Sequence, residues 1–264
     1  MTQNKILEVA ATAARRAGIK VKELREGSGI SVASKSDLSL VTSGDYASEE
    51  IIKDSIFSAF PDHLILSEES VEKWNPKDYW AENLWIIDPI DGTTNYVYGL
   101  PHAGVSIAYA SKGKVLAAAV YSIFIDELFY AAKGQGAFLN DRPINANQTN
   151  NLSHAVVATG LPYKRPITKH LENQLISVSN SCRDLRRLAA ASLDLCFVAC
   201  GRLDAYFETV QSWDMAAGSL IVREAGGVVS NIGVKNNEIP EDLNGEDLCS
   251  SSKGIEENLV QLLS

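Results

Sequence analysis

Residues 85–95 (WIIDPIDGTTN) constrain this chain more than any other stretch. An apolar run ends there in two acidic residues three positions apart, Asp88 and Asp91. Pro89 fixes one backbone angle between them and lacks an N–H group, whereas Gly92 frees another angle. Because a proline disfavours a continuing helix or a central ladder, the pattern predicts a strand that ends in a rigid acidic turn. Both carboxylates should then lie at the end of a sheet.

The residues of this turn suit both cations and anions. Hard cations take carboxylate oxygens as ligands, and Gly92, Thr93 and Thr94 offer backbone N–H groups and two hydroxyls. A helix that begins there would direct its positive end at an anion. The combination suggests metal-assisted phosphate chemistry. Asp-Pro and Asp-Gly are also common turn-formers, so the pair alone leaves a purely structural interpretation open.

Composition limits the class of protein. A chain of 264 residues can form one large domain or two lobes, and its 45% apolar and 22% charged residues are typical of globular proteins. The net charge of −9 argues against a broad grip on nucleic acid. We see no signal peptide and no apolar run that could span a bilayer. Four cysteines lack metal-ligand spacing, and we expect a cytoplasmic protein with reduced thiols.

The first half of the chain predicts helices followed by an antiparallel meander. Apolar spacing predicts an opening helix over 3–17, stopped by Gly18, and a second helix that starts near Asp45 and ends before Pro61. A short strand at 63–66 follows. Four β-like runs separated by short turns predict the meander, at 103–110, 115–121, 127–132 and 136–139.

A polar, asparagine-rich stretch at 145–153 predicts a boundary between an α+β lobe (1–146) and an α/β lobe (147–264). Strand and helix patterns alternate beyond it. The predicted strands are 155–159, 204–208, 228–229 and 248–250, and the predicted helices are 168–179, 189–199, 215–225 and 255–263.

Four further acidic residues lie at the ends of predicted elements. Glu68 follows the strand at 63–66, Asp45 falls in the first turn of a helix, Glu208 ends a strand, and Asp214 opens the next helix. Three of them have structural alternatives. Glu68 could belong to a solvated loop, Asp45 could stabilise the helix dipole, and Asp214 could be a helix cap.

Together, three segments resemble the signature segments of the inositol monophosphatase family. They are Ser67-Glu68-Glu69, the DPIDGTTN motif at 88–95, and the WDMAAG motif at 213–218 with EAGG at 224–227. Their order and spacing agree with the family, and the resemblance covers nearly the whole chain. It implies an α+β fold, the layered α-β-α-β-α sandwich of the sugar phosphatases. It also implies a homodimer and inhibition by lithium.

The resemblance assigns roles to individual residues. Two to three Mg²⁺ ions would be held by Glu68, Asp88, Asp91, Asp214 and the carbonyl of Ile90. Glu68 and Thr93 would activate the attacking water, with Thr93 oriented by Asp45. The amides of Gly92 and Thr93 would hold the phosphate, and the alcohol portion of the substrate would contact Asp91, Ala191 and Glu208.

The resemblance implies a magnesium-dependent phosphomonoesterase that hydrolyses myo-inositol monophosphate, a small phosphorylated polyol. Relatives acting on fructose 1,6-bisphosphate, histidinol phosphate or 3′-phosphoadenosine 5′-phosphate are alternatives. The interval from Glu208 to Asp214 is one residue shorter than in the inositol phosphatases, which leaves the substrate open. A regulatory binding protein is a further alternative, since some bacterial relatives contact transcription machinery. A small basic cluster at Arg183, Arg186 and Arg187 fits that role, or a solvated or dimer-facing surface.

Overall fold

The computed structural model describes residues 3–27, 29–36, 39–73, 75–163, 165–233 and 238–264. The helices of these residues are α1 (Gln3–Glu26), α2 (Ser43–Ala59), α3 (Thr93–Tyr98), α4 (Lys169–Ser181), α5 (Ala191–Ala199), α6 (Ser212–Glu224) and α7 (Glu256–Leu263). The strands are β1 (Val32–Ser34), β2 (Leu40–Thr42), β3 (Leu64–Ser67), β4 (Leu84–Asp91), β5 (Gly104–Ser111), β6 (Lys114–Ser122), β7 (Glu127–Ala132), β8 (Ala137–Leu139), β9 (Arg142–Ile144), β10 (Val156–Thr159), β11 (Asp184–Arg186), β12 (Ala205–Glu208), β13 (Val228–Asn231) and β14 (Leu248–Ser251).

A seven-stranded sheet follows chain order from β3 to β9. Only its first pair, β3 with β4, is parallel, and the remaining pairs are antiparallel. The predicted meander is therefore confirmed. The prediction missed β9, because a three-residue strand that contains Pro143 is too short to show an alternating pattern.

A five-stranded sheet has the order β11-β10-β12-β14-β13. The pairs that β10 makes with β11 and β12 are parallel, whereas β14 runs antiparallel to both of its neighbours. The predicted strands and helices of this part of the chain are present, within a few residues at their ends. The prediction missed β11, which lies at the sheet edge within the predicted basic cluster.

The two sheets and the helices form five layers. Alternate residues of β4 lie on opposite faces of the seven-stranded sheet. Trp85 and Ile87 pack against α1 and α2, whereas Leu84 and Ile86 pack against α5 and α6. The α5–α6 layer also packs against the five-stranded sheet, at residues such as Tyr206. Helices α4 and α7 cover that sheet's outer face. The layered α-β-α-β-α sandwich is confirmed, and the central core joins both predicted lobes, whose division at 146/147 stays a prediction.

Gly18 does not end the first helix as predicted, because α1 continues to Glu26. A Cβ atom at Gly18 would lie 2.1 Å from Cδ1 of Tyr121 on β6. The glycine therefore permits close packing of the helix against the sheet. The local pattern of a helix stop was misleading because the contact is with a distant residue.

Strand β4 ends at Asp91, so both carboxylates lie at the end of a strand as predicted, but Pro89 does not stop the ladder as expected. The ladder to β5 pairs Asp88 with Ser106 and resumes at Asp91 with Gly104, with an irregular register between them. This irregularity accommodates a residue that cannot donate to the ladder. Helix α3 begins at Thr93, directly after the acidic residues, as predicted.

None of the helices in the described ranges combines the length and the apolar character that a membrane crossing requires.

Candidate metal and phosphate site

Three aspartates form a compact acidic cluster. One carboxylate oxygen from each of Asp88, Asp91 and Asp214 lies within 4.8 Å of the other two. The first two come from the end of β4, and Asp214 comes from the first turn of α6. Asp214 also acts as the predicted cap, since it accepts a hydrogen bond from the N–H of Gln211 at 2.8 Å. The capping and cluster interpretations are therefore compatible.

Neighbouring carboxylates and burial make the negative charge of this cluster unfavourable. Burial, followed by repulsion from Glu68, Asp91 and Asp214, raises the pKa of Asp88 well above its usual value. Burial and neighbouring carboxylates likewise raise the pKa of Asp214. Clustered carboxylates that resist ionisation together are the donor set that a hard divalent cation stabilises. Because the set contains only oxygen donors, it fits magnesium better than zinc.

Glu68 follows β3 and lines the same cavity of about 360 Å³ as the three aspartates. Its Oε1 lies 2.7 Å from Nζ of Lys35, which also contacts Glu69 at 2.7 Å. Burial lowers the pKa of Lys35, but the two glutamates outweigh that effect and raise it. The structure thus gives Lys35 a contact with the site, a role that the sequence analysis did not assign.

Thr93 lies between the turn and the helix that carries Asp45. Its hydroxyl donates to the carbonyl oxygen of Ile90 at 3.0 Å, and Oδ1 of Asp45 lies 3.5 Å away. The other oxygen of Asp45 accepts two 2.7 Å bonds, from the N–H and the hydroxyl of Thr42, and the bond from the N–H is one half of a capping box at α2. Burial raises the pKa of Asp45 to about 7. Asp45 therefore both caps α2 and lies near Thr93.

Gly92 forms the turn before α3. Its φ of +81° favours glycine, and a Cβ atom there would lie 3.0 Å from both the Ala190 Cβ and the His102 carbonyl oxygen. Asn95 fixes this packing, because its side-chain amide donates to the carbonyls of His102 and Leu188 at 2.7 Å each. The turn is thus held rigidly against the segment that precedes α5.

Ser192 holds Asp91 in place. Its N–H and its hydroxyl both donate to Oδ2 of Asp91, at 2.7 Å and 2.5 Å. The residue lies in the first turn of α5, so the positive end of that helix faces the carboxylate. Sequence reasoning missed Ser192, since nothing local distinguishes a serine that faces a residue a hundred positions away.

A smaller cavity of about 110 Å³ adjoins the acidic cluster on the side of α5 and β12. Asp91, Ala191 and Glu208, the residues predicted to contact the alcohol portion of a substrate, line it together with Gly92. Burial raises the pKa of Glu208 to about 7. A separate cavity of about 500 Å³ also touches Glu208 but contains none of the clustered aspartates, so charge rather than size identifies the candidate site.

The structure therefore gathers the predicted residues around one site. Nine line the two adjoining cavities, and Asp45 lies behind Thr93. The nine are Glu68, Asp88, Ile90, Asp91, Gly92, Thr93, Ala191, Glu208 and Asp214. Their individual roles stay predictions.

The fold and the site define a class: layered α+β proteins with a buried cluster of carboxylates beside a glycine turn. A model of the inositol monophosphatase family matches residues 2–264. The chain belongs to that family.

Three similar proteins illustrate the relationship. A Nus factor SuhB of Pasteurella multocida (strain Pm70) is 44% identical over 232 residues, which cover 86% of this chain and 85% of the relative. The crystal structure of the extragenic suppressor protein suhB from Bartonella henselae has a TM-score of 0.88 and 34% identity, and 98% of each chain is covered. A Staphylococcus aureus inositol monophosphatase II with bound inositol monophosphate has a TM-score of 0.78 and 28% identity, and the match covers 97% of this chain and 92% of that one.

Proposed function

We propose that this protein is a magnesium-dependent phosphomonoesterase that hydrolyses myo-inositol monophosphate to inositol and phosphate. The observation that carries the proposal is the cluster of Asp88, Asp91 and Asp214 beside the Gly92 turn. The bound inositol monophosphate of the S. aureus relative supports the substrate. Fructose 1,6-bisphosphate, histidinol phosphate and 3′-phosphoadenosine 5′-phosphate remain rival substrates.

Two to three magnesium ions would be held by the side chains of Glu68, Asp88, Asp91 and Asp214 and by the carbonyl of Ile90. When bound, such ions supply positive charge to the phosphoryl oxygens and acidify a water molecule. The oxygen-only donor set and the mutual repulsion of the buried carboxylates support this assignment.

Thr93 would orient the attacking water together with Glu68. A threonine hydroxyl can accept a hydrogen bond from water while it donates its own hydrogen to a neighbouring oxygen. The carbonyl of Ile90 and the carboxylate of Asp45 offer two such oxygens, at 3.0 Å and 3.5 Å. With a pKa of about 7, Asp45 is poised to take up a proton near neutral pH.

The Gly92 turn would bind the phosphate group of the substrate, and the smaller cavity near α5 would bind its alcohol portion. The N–H groups of Gly92 and Thr93 are suited to the phosphoryl oxygens, because they lie at the start of α3. Asp91, Ala191 and Glu208 would contact the alcohol portion in the smaller cavity.

We also propose a cytoplasmic homodimer that lithium inhibits, following the family resemblance. Tyr98 and Leu100 are 74% and 54% exposed and lie at the end of α3, the helix that follows the Gly92 turn. They offer an apolar surface that a second copy of the chain could cover.

A phosphate-release assay tests the proposal. The protein should hydrolyse myo-inositol 1-phosphate faster than the three rival substrates, and only with magnesium. Asp91→Asn should abolish turnover, because it removes a charge shared by the metal and substrate sites. Hydrolysis by Asp91→Asn at the parent rate would refute the assignment.

A regulatory binding protein is the second candidate. The P. multocida relative is named as a Nus factor, and β11 presents the half-exposed side chain of Arg186 at a sheet edge. Tight co-purification of a protein partner without phosphatase activity would favour this function over catalysis.

A further inference from the structure

Tyr206 and Glu208 form a buried pair beside the smaller cavity. They are two residues apart on β12, so their side chains lie on the same face of the strand. The hydroxyl of Tyr206 donates to Oε2 of Glu208 at 2.6 Å. Tyr206 is fully buried in the central core. Among the described residues, it is the one that donates a hydrogen bond to this carboxylate.

The phenol of Tyr206 has little freedom to move. Strand β12 lies in the middle of the five-stranded sheet, where Tyr206 is paired with Ala158 on one side and Ser250 on the other. A close-packed core around a paired strand holds an aromatic ring in one position. The donor to Glu208 is therefore fixed before any ligand arrives.

Gly160 provides the space in which the carboxylate lies. A Cβ atom at Gly160 would be 2.0 Å from both Oε1 and Oε2 of Glu208. The backbone of Gly160 has no left-handed φ, so the absent side chain serves the approach of Glu208 and not a turn. Tyr206 within β12 and Gly160 directly after β10 thus both fix the position of the carboxylate.

Resting on the proposed function, we infer that Tyr206 is a positioning residue for substrate selection. Its hydroxyl engages one oxygen of Glu208 and leaves the other to accept a hydrogen bond from a substrate hydroxyl. The substrate class is a phosphate monoester of a polyol, with a free hydroxyl beside the esterified carbon. Phosphate esters without such a hydroxyl cannot donate a hydrogen bond to Glu208, so the Tyr206–Glu208 pair does not favour their binding.

The expected effect is selective because Glu208, which Tyr206 positions, would contact the alcohol portion of the substrate and not the phosphate. A pre-oriented acceptor spares the ordering of a flexible side chain on binding. Tyr206→Phe should lower kcat/KM for myo-inositol 1-phosphate by about three- to tenfold, the range for one lost hydrogen bond or one immobilised side chain. The loss should appear mainly in KM. Turnover of 4-nitrophenyl phosphate, which has no such hydroxyl, should stay within about twofold.

Tyr109→Phe is the matched control. Tyr109 is also a buried tyrosine on a sheet, and its hydroxyl donates to Asn83 at 2.7 Å, remote from the acidic cluster. This variant should retain both activities. A loss of similar size with both substrates in Tyr206→Phe, or no loss with either, would overturn the inference.

Gly160→Ala perturbs the same carboxylate without touching Tyr206. The new methyl group must displace the carboxylate of Glu208, so the variant should show the same selective loss for myo-inositol 1-phosphate. It keeps the test decisive if Tyr206→Phe folds poorly. Unchanged selectivity in a folded Gly160→Ala protein would overturn the inference.

The wild-type protein separates this inference from the proposed function. If the wild type hydrolyses both esters with magnesium, the variants test Tyr206 alone. If it hydrolyses neither ester, the proposed function fails and the inference fails with it.

Discussion

Ser192 donates two hydrogen bonds to a single oxygen of Asp91, one from its N–H and one from its hydroxyl. The other oxygen of Asp91 receives neither bond. A carboxylate bound in this way cannot rotate freely, so the first turn of α5 fixes how Asp91 faces Asp88 and Asp214.

Replacing Ser192 by alanine removes the hydroxyl and keeps the N–H. We expect a magnesium affinity about tenfold lower, because groups that orient a metal ligand have effects of this size. Isothermal titration of the protein with Mg²⁺ measures the change directly.

Ser219→Ala is the control for that titration. Ser219 is a buried serine on α6 whose hydroxyl has no hydrogen-bond partner among the described residues. Its replacement should leave magnesium affinity unchanged. Equal affinities for the wild type and Ser192→Ala would show that the backbone N–H alone suffices.

Removing one charge from the cluster should stabilise the metal-free protein. Asp214→Asn keeps an oxygen for the cap at Gln211 but relieves repulsion from Asp91 and Glu68. We expect the free energy of unfolding to rise by on the order of 1 kcal/mol, the equivalent of one pKa unit. Urea denaturation in EDTA tests this, and a loss of stability of that size would contradict the account of the cluster.

Stability should depend on pH in a direction set by the raised pKa values. Asp45 and Glu208 have pKa values of about 7 in the folded protein, above those of the unfolded chain. Their contribution to stability is full below about pH 4 and is lost as the pH rises towards 7. The contributions of Asp88 and Asp214 follow the same direction.

The measurement is the thermal midpoint between pH 5 and pH 8, with EDTA or with Mg²⁺. Metal-free protein should lose stability as the pH rises across this range, and the gain from Mg²⁺ should be larger at pH 8 than at pH 5. A gain from Mg²⁺ that is the same at every pH would contradict the prediction.

Gly18→Ala should destabilise the protein although alanine favours helices. The new Cβ would lie 2.1 Å from the ring of Tyr121, and overpacking of this kind costs about 1–3 kcal/mol. That cost outweighs the gain of about 1 kcal/mol from helix propensity. Urea denaturation of a double-mutant cycle with Tyr121→Ala tests the cause, since the cost should vanish when the ring is absent.

Local sequence patterns predicted the features that are determined by residues close together in the sequence. Short turns revealed the meander, and acidic residues at element ends marked the site, because strand ends and first helical turns are positions that the sequence shows. The break that Pro89 was expected to make in the ladder is only partial, since pairing with β5 tolerates an irregular register there and resumes at Asp91.

Residues that act across the fold could not be predicted in the same way. Ser192, Tyr206 and Lys35 acquire their contacts only when distant elements meet. Asp194 did give a signal, because it is a carboxylate inside the apolar run of α5. The structure pairs it with His102 at 2.9 Å in the core.

The most direct test of the account is an anomalous difference map from crystals of the protein grown with Mn²⁺ as a substitute for Mg²⁺. We predict peaks between the carboxylates of Asp88, Asp91 and Asp214. A map with Mn²⁺ bound elsewhere and no density among these three side chains would contradict the claim that they form a metal site.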